Sequence, residues 1–336
     1  MNYLQLLHWV APETIVLIGA LAVLATDLLV LRDSSPGLRR LLLGLIAGLA
    51  CAVGMAWTIA MPQETVSFAQ MLSLSPVSQV VKAAILLLAI TTVLLSIDSV
   101  FSPHCGEYLA LVLMAAIGMM FLVSSENLLL IFVSLEFTSL SLYILAGFDK
   151  SNAASAESAL KYFLFGGMSA AFTLFGLSLL YGLSGSIYLP EIAAALHGPR
   201  LDPLLAVGLV MTVIGFGFKI AAVPFHLWAP DVYQGAPIPS AGFIASGSKV
   251  ASFFVFAKVM WVGFAGVTGS GAPTAYVPGW VPMLALVAAV SILLGNLAAI
   301  VQTSVRRLLA YSAIAHAGYM LLGLLGTNTG MPSLLY

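Results

Sequence analysis

The sequence is poor in charge. Only 7% of its 336 residues are charged, 12 of them Lys or Arg and 13 Asp or Glu. A soluble domain carries about 25%, so a soluble fold is excluded. The net charge of −1 implies neither nucleic acid nor an anionic surface as a partner. Cysteine is scarce too. Cys51 and Cys105 lie far apart with no CxxC or His-rich spacing, which leaves no disulfide framework, metal site or iron–sulfur site to assemble. Nucleotide loops are missing: GFGFK (215–219) and GSGAP (269–273) match neither GxGxxG nor GxxxxGK[ST], and neither follows a strand. No basic region precedes the first apolar run, Thr14–Leu31, and further spans follow it, so it reads as a transmembrane helix rather than a cleaved signal.

What is present is hydrophobicity: 61% of residues, with a mean hydropathy of +1.08. A hydrocarbon core needs about 20 mostly apolar residues per helix. Ten segments meet that length, at 13–31, 39–60, 79–101, 107–123, 127–147, 158–181, 203–223, 238–265, 280–300 and 306–326. They lack the alternation of barrel strands, so the chain reads as an all-α polytopic membrane protein. A short interfacial helix is expected at PEIAAALH (190–197), and a further apolar segment begins in TNTGMPSLLY (327–336). Loops after odd-numbered spans hold Arg32, Arg39, Arg40, Lys150, Arg306 and Arg307, whereas those after even-numbered spans hold only Arg200. The positive-inside rule then places the N-terminus outside.

The arginines keep to loops and their edges, but Lys82, Lys161, Lys219, Lys249 and Lys258 fall inside spans. Unlike arginine, a buried lysine can give up its proton, so this distribution leans towards proton handling. Glu136 and Lys249 sit about 14 Å and about 16 Å along their spans, near mid-membrane on a 1.5 Å rise; an ionisable residue there is a functional candidate by default. Ser139 and Tyr143 share the face of Glu136. Lys219 is flanked by Gly215, Gly217 and Pro224, so the seventh span is expected to be discontinuous close to it. Lys161 follows Glu157 by four residues and reads equally as a surface ion pair. Lys82 and Lys258 are expected to snorkel to the interface, and Asp27 to serve structure beside Arg32. His226, in the proline-rich turn, and His316, in the last span, could relay protons or simply be hydrogen-bonded. Tyr311 is a weaker candidate alongside His316.

Four stretches together resemble a known family: SLEFTSLSLYILAGF (134–148), ESALKYFLFG (157–166), KIAAVPFHLWAPDVYQGAPIPS (219–240) and RRLLAYSAIAHAGYMLLG (306–323). Their order and spacing resemble subunit N of bacterial NADH–quinone oxidoreductase, respiratory complex I, more than its sister subunits or the Mrp-type antiporters. The resemblance implies an antiporter-like fold of about fourteen spans, with inverted five-helix repeats over spans 4–8 and 9–13. On this chain those correspond to three N-terminal spans (1–106), a first repeat (107–265) and the start of a second (266–336). The second repeat is expected to be cut after its second span, leaving no counterpart of the family's lysine in span 12. The chain is then a fragment, a split product, or a short version completed by another polypeptide.

By motif, the resemblance assigns Glu136 as the paired carboxylate, Lys219 and Lys249 as central lysines, Lys161 as the bridging lysine and His226 as the turn histidine. It implies proton translocation coupled to quinone reduction elsewhere in the complex. NADH, FMN, iron–sulfur clusters and the quinone site are expected in partner subunits, with no cofactor or metal in this chain. The expected partners are other membrane-arm subunits and the lipid bilayer, and the expected location is the bacterial inner membrane. Burial disfavours the charged form of a lysine, and a carboxylate at about 4 Å favours it by roughly 4 kcal/mol at an effective dielectric of 20. The two effects are of similar size, so making or breaking a Glu136–Lys219 pair could switch the lysine. The alternatives are an Mrp-type sodium/proton antiporter subunit and a non-conducting structural subunit.

Overall fold

The computed structural model describes residues 3–62, 64–68, 70–99, 101–196, 202–270 and 276–326. Arg200, residues 271–273 of the GSGAP stretch, His197 and the apolar segment expected from residue 327 lie outside the described residues. In chain order the elements are α1 (Tyr3–Trp9), α2 (Ala11–Leu29), α3 (Pro36–Ala60), β1 (Val66–Phe68), β2 (Leu72–Leu74), α4 (Pro76–Ile97), α5 (Cys105–Ser124), α6 (Leu128–Ala146) and α7 (Ala153–Ser184). They continue with α8 (Leu189–Ala195), α9 (Pro203–Ile220), α10 (Trp228–Gly235), α11 (Ile238–Phe243), α12 (Lys249–Lys258), α13 (Trp280–Ile300) and α14 (Val305–Leu325). Ten helices among the described residues are long and apolar enough to cross a membrane, and they coincide with the ten expected spans.

Helix starts follow local chemistry. Pro36, Pro76 and Pro203 open α3, α4 and α9, where a missing N–H has no consequence. Ser75 and Ser78 close a reciprocal capping box on α4. α7 is longer than its expected span: its 32 residues make about 48 Å on a 1.5 Å rise. It therefore projects beyond a core of about 30 Å. Two features depart from an all-helical reading. A hairpin pairs Val66 with Leu74 and Phe68 with Leu72 in the connection before α4. The eighth span, Ile238–Gly263, is not a plain helix, since π-helical turns at Ile244–Ser248 and Val259–Gly263 flank α12.

The chain divides into two compact units. The first comprises 1–126, 133–163 and 235–251. There α2, α3, α4 and α5 pack together, and α11 with the first π turn lies against α4. Gly54 lets α3 approach Val16 and the Pro12 carbonyl of α2. The Tyr108 and Ser240 hydroxyls are 3.0 Å apart.

The second unit comprises 127–132, 164–234 and 252–336. Here α13 packs along α14, and α8 packs on the second π turn. Trp280 donates to the Phe264 carbonyl at 3.2 Å, and Trp261 to the Leu324 carbonyl at 3.1 Å.

Two lysines differ from expectation. Lys82 does not snorkel: it is 2% exposed and pairs with Glu13 at 2.6 Å. Lys258 is also buried, with its ammonium 5.6 Å from the Phe254 ring centroid. Both are enclosed by protein, whereas a snorkelling lysine needs a position on the lipid-facing surface. Asp27 is structural as expected, but its partner is Arg39 rather than Arg32, with a bidentate fork that includes a 2.8 Å bond from Nη2.

Candidate functional site

The second unit contains the expected break. α9 begins on Asp202, whose carboxylate accepts from the Leu204 and Leu205 amides at 2.8 and 3.3 Å. It ends one residue after Lys219, because Ala221 turns into the left-handed region at φ 57°. The chain then turns through Pro224 and His226 before α10 starts at Trp228. A helix end buried in protein needs partners for its freed backbone groups. The Ala222 amide returns to the Gly217 carbonyl at 2.8 Å, and the Phe218 carbonyl accepts both the Ala221 amide and the Trp228 indole at 3.0 Å. The Val223 amide donates to the Ser291 hydroxyl of α13 at 2.9 Å. Ser169 of α7 donates to the Gly215 carbonyl at 3.0 Å, where the absent side chain lets Thr173 approach.

Lys219 therefore occupies the last turn of a terminated helix, buried to 6% exposure, with its ammonium 5.8 Å from the Phe218 ring centroid. His226 is equally buried, and its Nδ1 has no hydrogen-bond partner among the described residues. Burial pushes the imidazole pKa down, opposed by the Pro224 backbone. Downstream, Asp231 of α10 accepts from Arg307 of α14 at 2.7 Å, and Arg306 donates to the Gln234 carbonyl at 3.0 Å. The segment after the break is thus held to the start of α14.

In the first unit Glu136 lies at the middle of α6, half-buried. Thr138, Ser139 and Ser141 return their hydroxyls to carbonyls one turn back, at 2.8, 2.6 and 3.1 Å. Tyr143, two turns along from Glu136, stands edge-on to Tyr162 at 4.7 Å and to Phe163 at 5.8 Å. That contact brings the Glu136 face of α6 beside the turn of α7 carrying Lys161. Lys161 itself pairs with Glu157 at 2.6 Å, with 38% and 64% side-chain exposure. Lys249 is 5% exposed and directly follows the first π turn, between buried Ser248 and Ser252. Single π turns inside α-helices recur at functional sites.

Glu136, Lys161 and Lys249 thus belong to the first unit, and Lys219, His226, Tyr311 and His316 to the second. His316 is exposed, edge-on to Tyr319 at 5.6 Å, and Tyr311 is half-buried on the same helix. Neither Glu13 nor Ser291 stood out in the sequence. The acid early in the first span was the available signal for Glu13, whereas a lone serine in an apolar span carried none. Among the described residues no group of three or more His, Cys, Asp or Glu could hold a metal ion.

Ten spanning helices, one of them broken beside a buried lysine, define a polytopic membrane protein. The profile of the NADH:quinone oxidoreductase/Mrp antiporter transmembrane family matches residues 125–336. NADH-quinone oxidoreductase subunit N 2 of Acidobacterium capsulatum is 51% identical, over 100% of this chain and 69% of its own length. NAD(P)H-quinone oxidoreductase subunit 2 of Synechococcus elongatus is 39% identical, over 97% of this chain and 61% of its own length. A chain of respiratory complex I from Thermus thermophilus, solved with bound aureothin, superposes with a TM-score of 0.76 at 37% identity, over 95% of this chain and 65% of that one. A chain of the membrane-bound sulfane sulfur reductase, an archaeal respiratory complex, shares the fold at a TM-score of 0.77 and 22% identity, over 95% of this chain and 65% of that one. The chain belongs to the subunit N family of NADH-quinone oxidoreductases, within the antiporter-like membrane proteins. It spans 61–69% of the length of these relatives and solved chains.

Proposed function

We propose that the chain acts as a proton-translocating membrane-arm subunit of NADH-quinone oxidoreductase. It works in the bacterial inner membrane with its N-terminus outside. The observation that carries this reading is the break in α9 directly after Lys219, which puts a buried ammonium at the end of a helix whose freed backbone groups are met by protein. Such a lysine can hold a proton and release it when its surroundings change. Arginine in its place could not release one. Glu136 controls the charge of Lys219, and the released proton is passed towards Lys249, with Lys161 and His226 tuning the transfer. The redox groups and the quinone site reside in partner subunits, whose conformational changes drive the switch. Inverted repeats, with the first over residues 107–265, provide the framework for this cycle.

The test uses the intact complex in sealed vesicles. Lys219→Ala, Lys219→Arg and Glu136→Ala should each abolish or strongly reduce proton uptake driven by NADH oxidation, with normal assembly of the complex. Unchanged proton pumping and quinone reduction in the assembled variants would refute the reading in favour of a structural subunit. The shared family with the Mrp antiporters raises a second reading, sodium/proton exchange. Sodium flux through this chain in vesicles, without the rest of the complex, would establish that instead.

A further inference from the structure

The expected proton path makes no use of a cavity in the first unit between the end of α2 and the starts of α3 and α5. Its volume is about 440 Å³, and Ser34, Pro36, Arg39, Arg40, Phe101, Ser102 and Cys105 are among the residues lining it. The two arginines differ electrostatically. Arg39 is neutralised by Asp27 through the fork described above. Arg40 has no carboxylate partner among the described residues. Among the described residues its guanidinium makes two long bonds, to the Pro36 carbonyl at 3.3 Å and the Ser99 carbonyl at 3.4 Å. Glu107, at the start of α5, is engaged by His104 at 3.2 Å. The cavity is thus lined by one uncompensated, partly buried guanidinium and two serine hydroxyls, a donor set suited to a phosphate.

Its surroundings identify the rest of the ligand. The cavity opens where α2 ends and α3 and α5 begin, which is the membrane boundary of three spanning helices. Beside Arg40, Leu38, Leu41 and Leu45 on α3 are 48%, 46% and 58% exposed, and Leu94 and Leu95 on α4 are 57% and 58% exposed. A soluble phosphate would use the guanidinium and leave these leucines idle, whereas an amphiphile uses both. We propose that this cavity is a binding site for the phosphate headgroup of an anionic phospholipid, held by Arg40, Ser34 and Ser102 with its acyl chains along the α3 and α4 leucines. Basic recesses between spanning helices are suited to anionic headgroups by the same physics.

The experiment measures association of spin-labelled phosphatidylglycerol and phosphatidylcholine with the full chain, in phosphatidylcholine vesicles. Phosphatidylglycerol should be favoured severalfold. Arg40→Ala should lower that preference about fivefold, on the scale of one basic residue near a membrane surface. Arg40→Lys should retain part of it. Ser34→Glu, which leaves the guanidinium in place and adds a like charge for the phosphate to meet, should also abolish the preference. Arg32→Ala, outside the cavity lining, should leave it unchanged. An equal preference in the wild-type, Arg40→Ala and Ser34→Glu chains would overturn the proposal. So would displacement of the labelled lipid by millimolar inorganic phosphate, which would make this a site for the free ion.

Discussion

Glu13 of α2 and Lys82 of α4 meet at 2.6 Å, each with a side chain only 3% exposed. Gln79, one turn before Lys82, donates to the Pro62 carbonyl at 3.0 Å, and the second Glu13 oxygen has no partner among the described residues. A buried pair of this kind gives little net stability, because desolvation offsets most of the attraction, yet removing one partner strands the other. Glu13→Ala or Lys82→Ala should therefore destabilise the chain by about 3–5 kcal/mol. A double replacement by Leu and Met should restore most of the loss. Thermal unfolding in detergent reads both, and a double variant no better than the singles would contradict this account.

The Ser291 hydroxyl is the acceptor for the Val223 amide beyond the α9 break. Ser291→Ala leaves that buried amide unsatisfied, an effect of about 1–3 kcal/mol. Hydrogen exchange at Val223 should accelerate, while amides in α3 and α4 keep their protection. Uniform acceleration would mean that Ser291 acts through global stability instead.

The break itself was legible, because glycine and proline beside a lysine have few other uses in a spanning helix. The ten spans were equally legible, since the hydrocarbon core sets their length whatever their packing. Partner choice was not. Hydropathy places Lys82 at a depth but not on a side of its helix, and only the side decides between snorkelling and pairing with Glu13. For the same reason Asp27 was set against Arg32, its neighbour in sequence, when α3 carries Arg39 to it. The π turn before Lys249 left no trace in composition, because it is one extra residue taken up within a helix.

Lys161 separates a surface role from a conducting one. Its pair with Glu157 is solvated, so breaking it with Glu157→Gln should change stability by no more than about 0.5 kcal/mol. If Lys161 is the bridging lysine, Lys161→Ala should lower proton pumping in the assembled complex while Glu157→Gln leaves it within twofold. Equal losses in the two variants would assign the effect to the pair and remove Lys161 from the path.

His226 gives a pH dependence with a definite sign. Burial lowers its pKa in the folded chain below the unfolded value of about 6.5. Between the two values the unfolded chain binds more protons, so stability falls as pH drops below about 6.5 and levels off once the folded imidazole also titrates. Above that range the neutral ring costs nothing. Replacement by Gln removes the titrating group, so the difference in melting temperature between His226→Gln and wild type should change across pH 5–7 and stay constant above pH 7.5. A parallel pair of curves across the whole range would show that the turn tolerates the imidazolium, and that His226 is solvated in the folded chain.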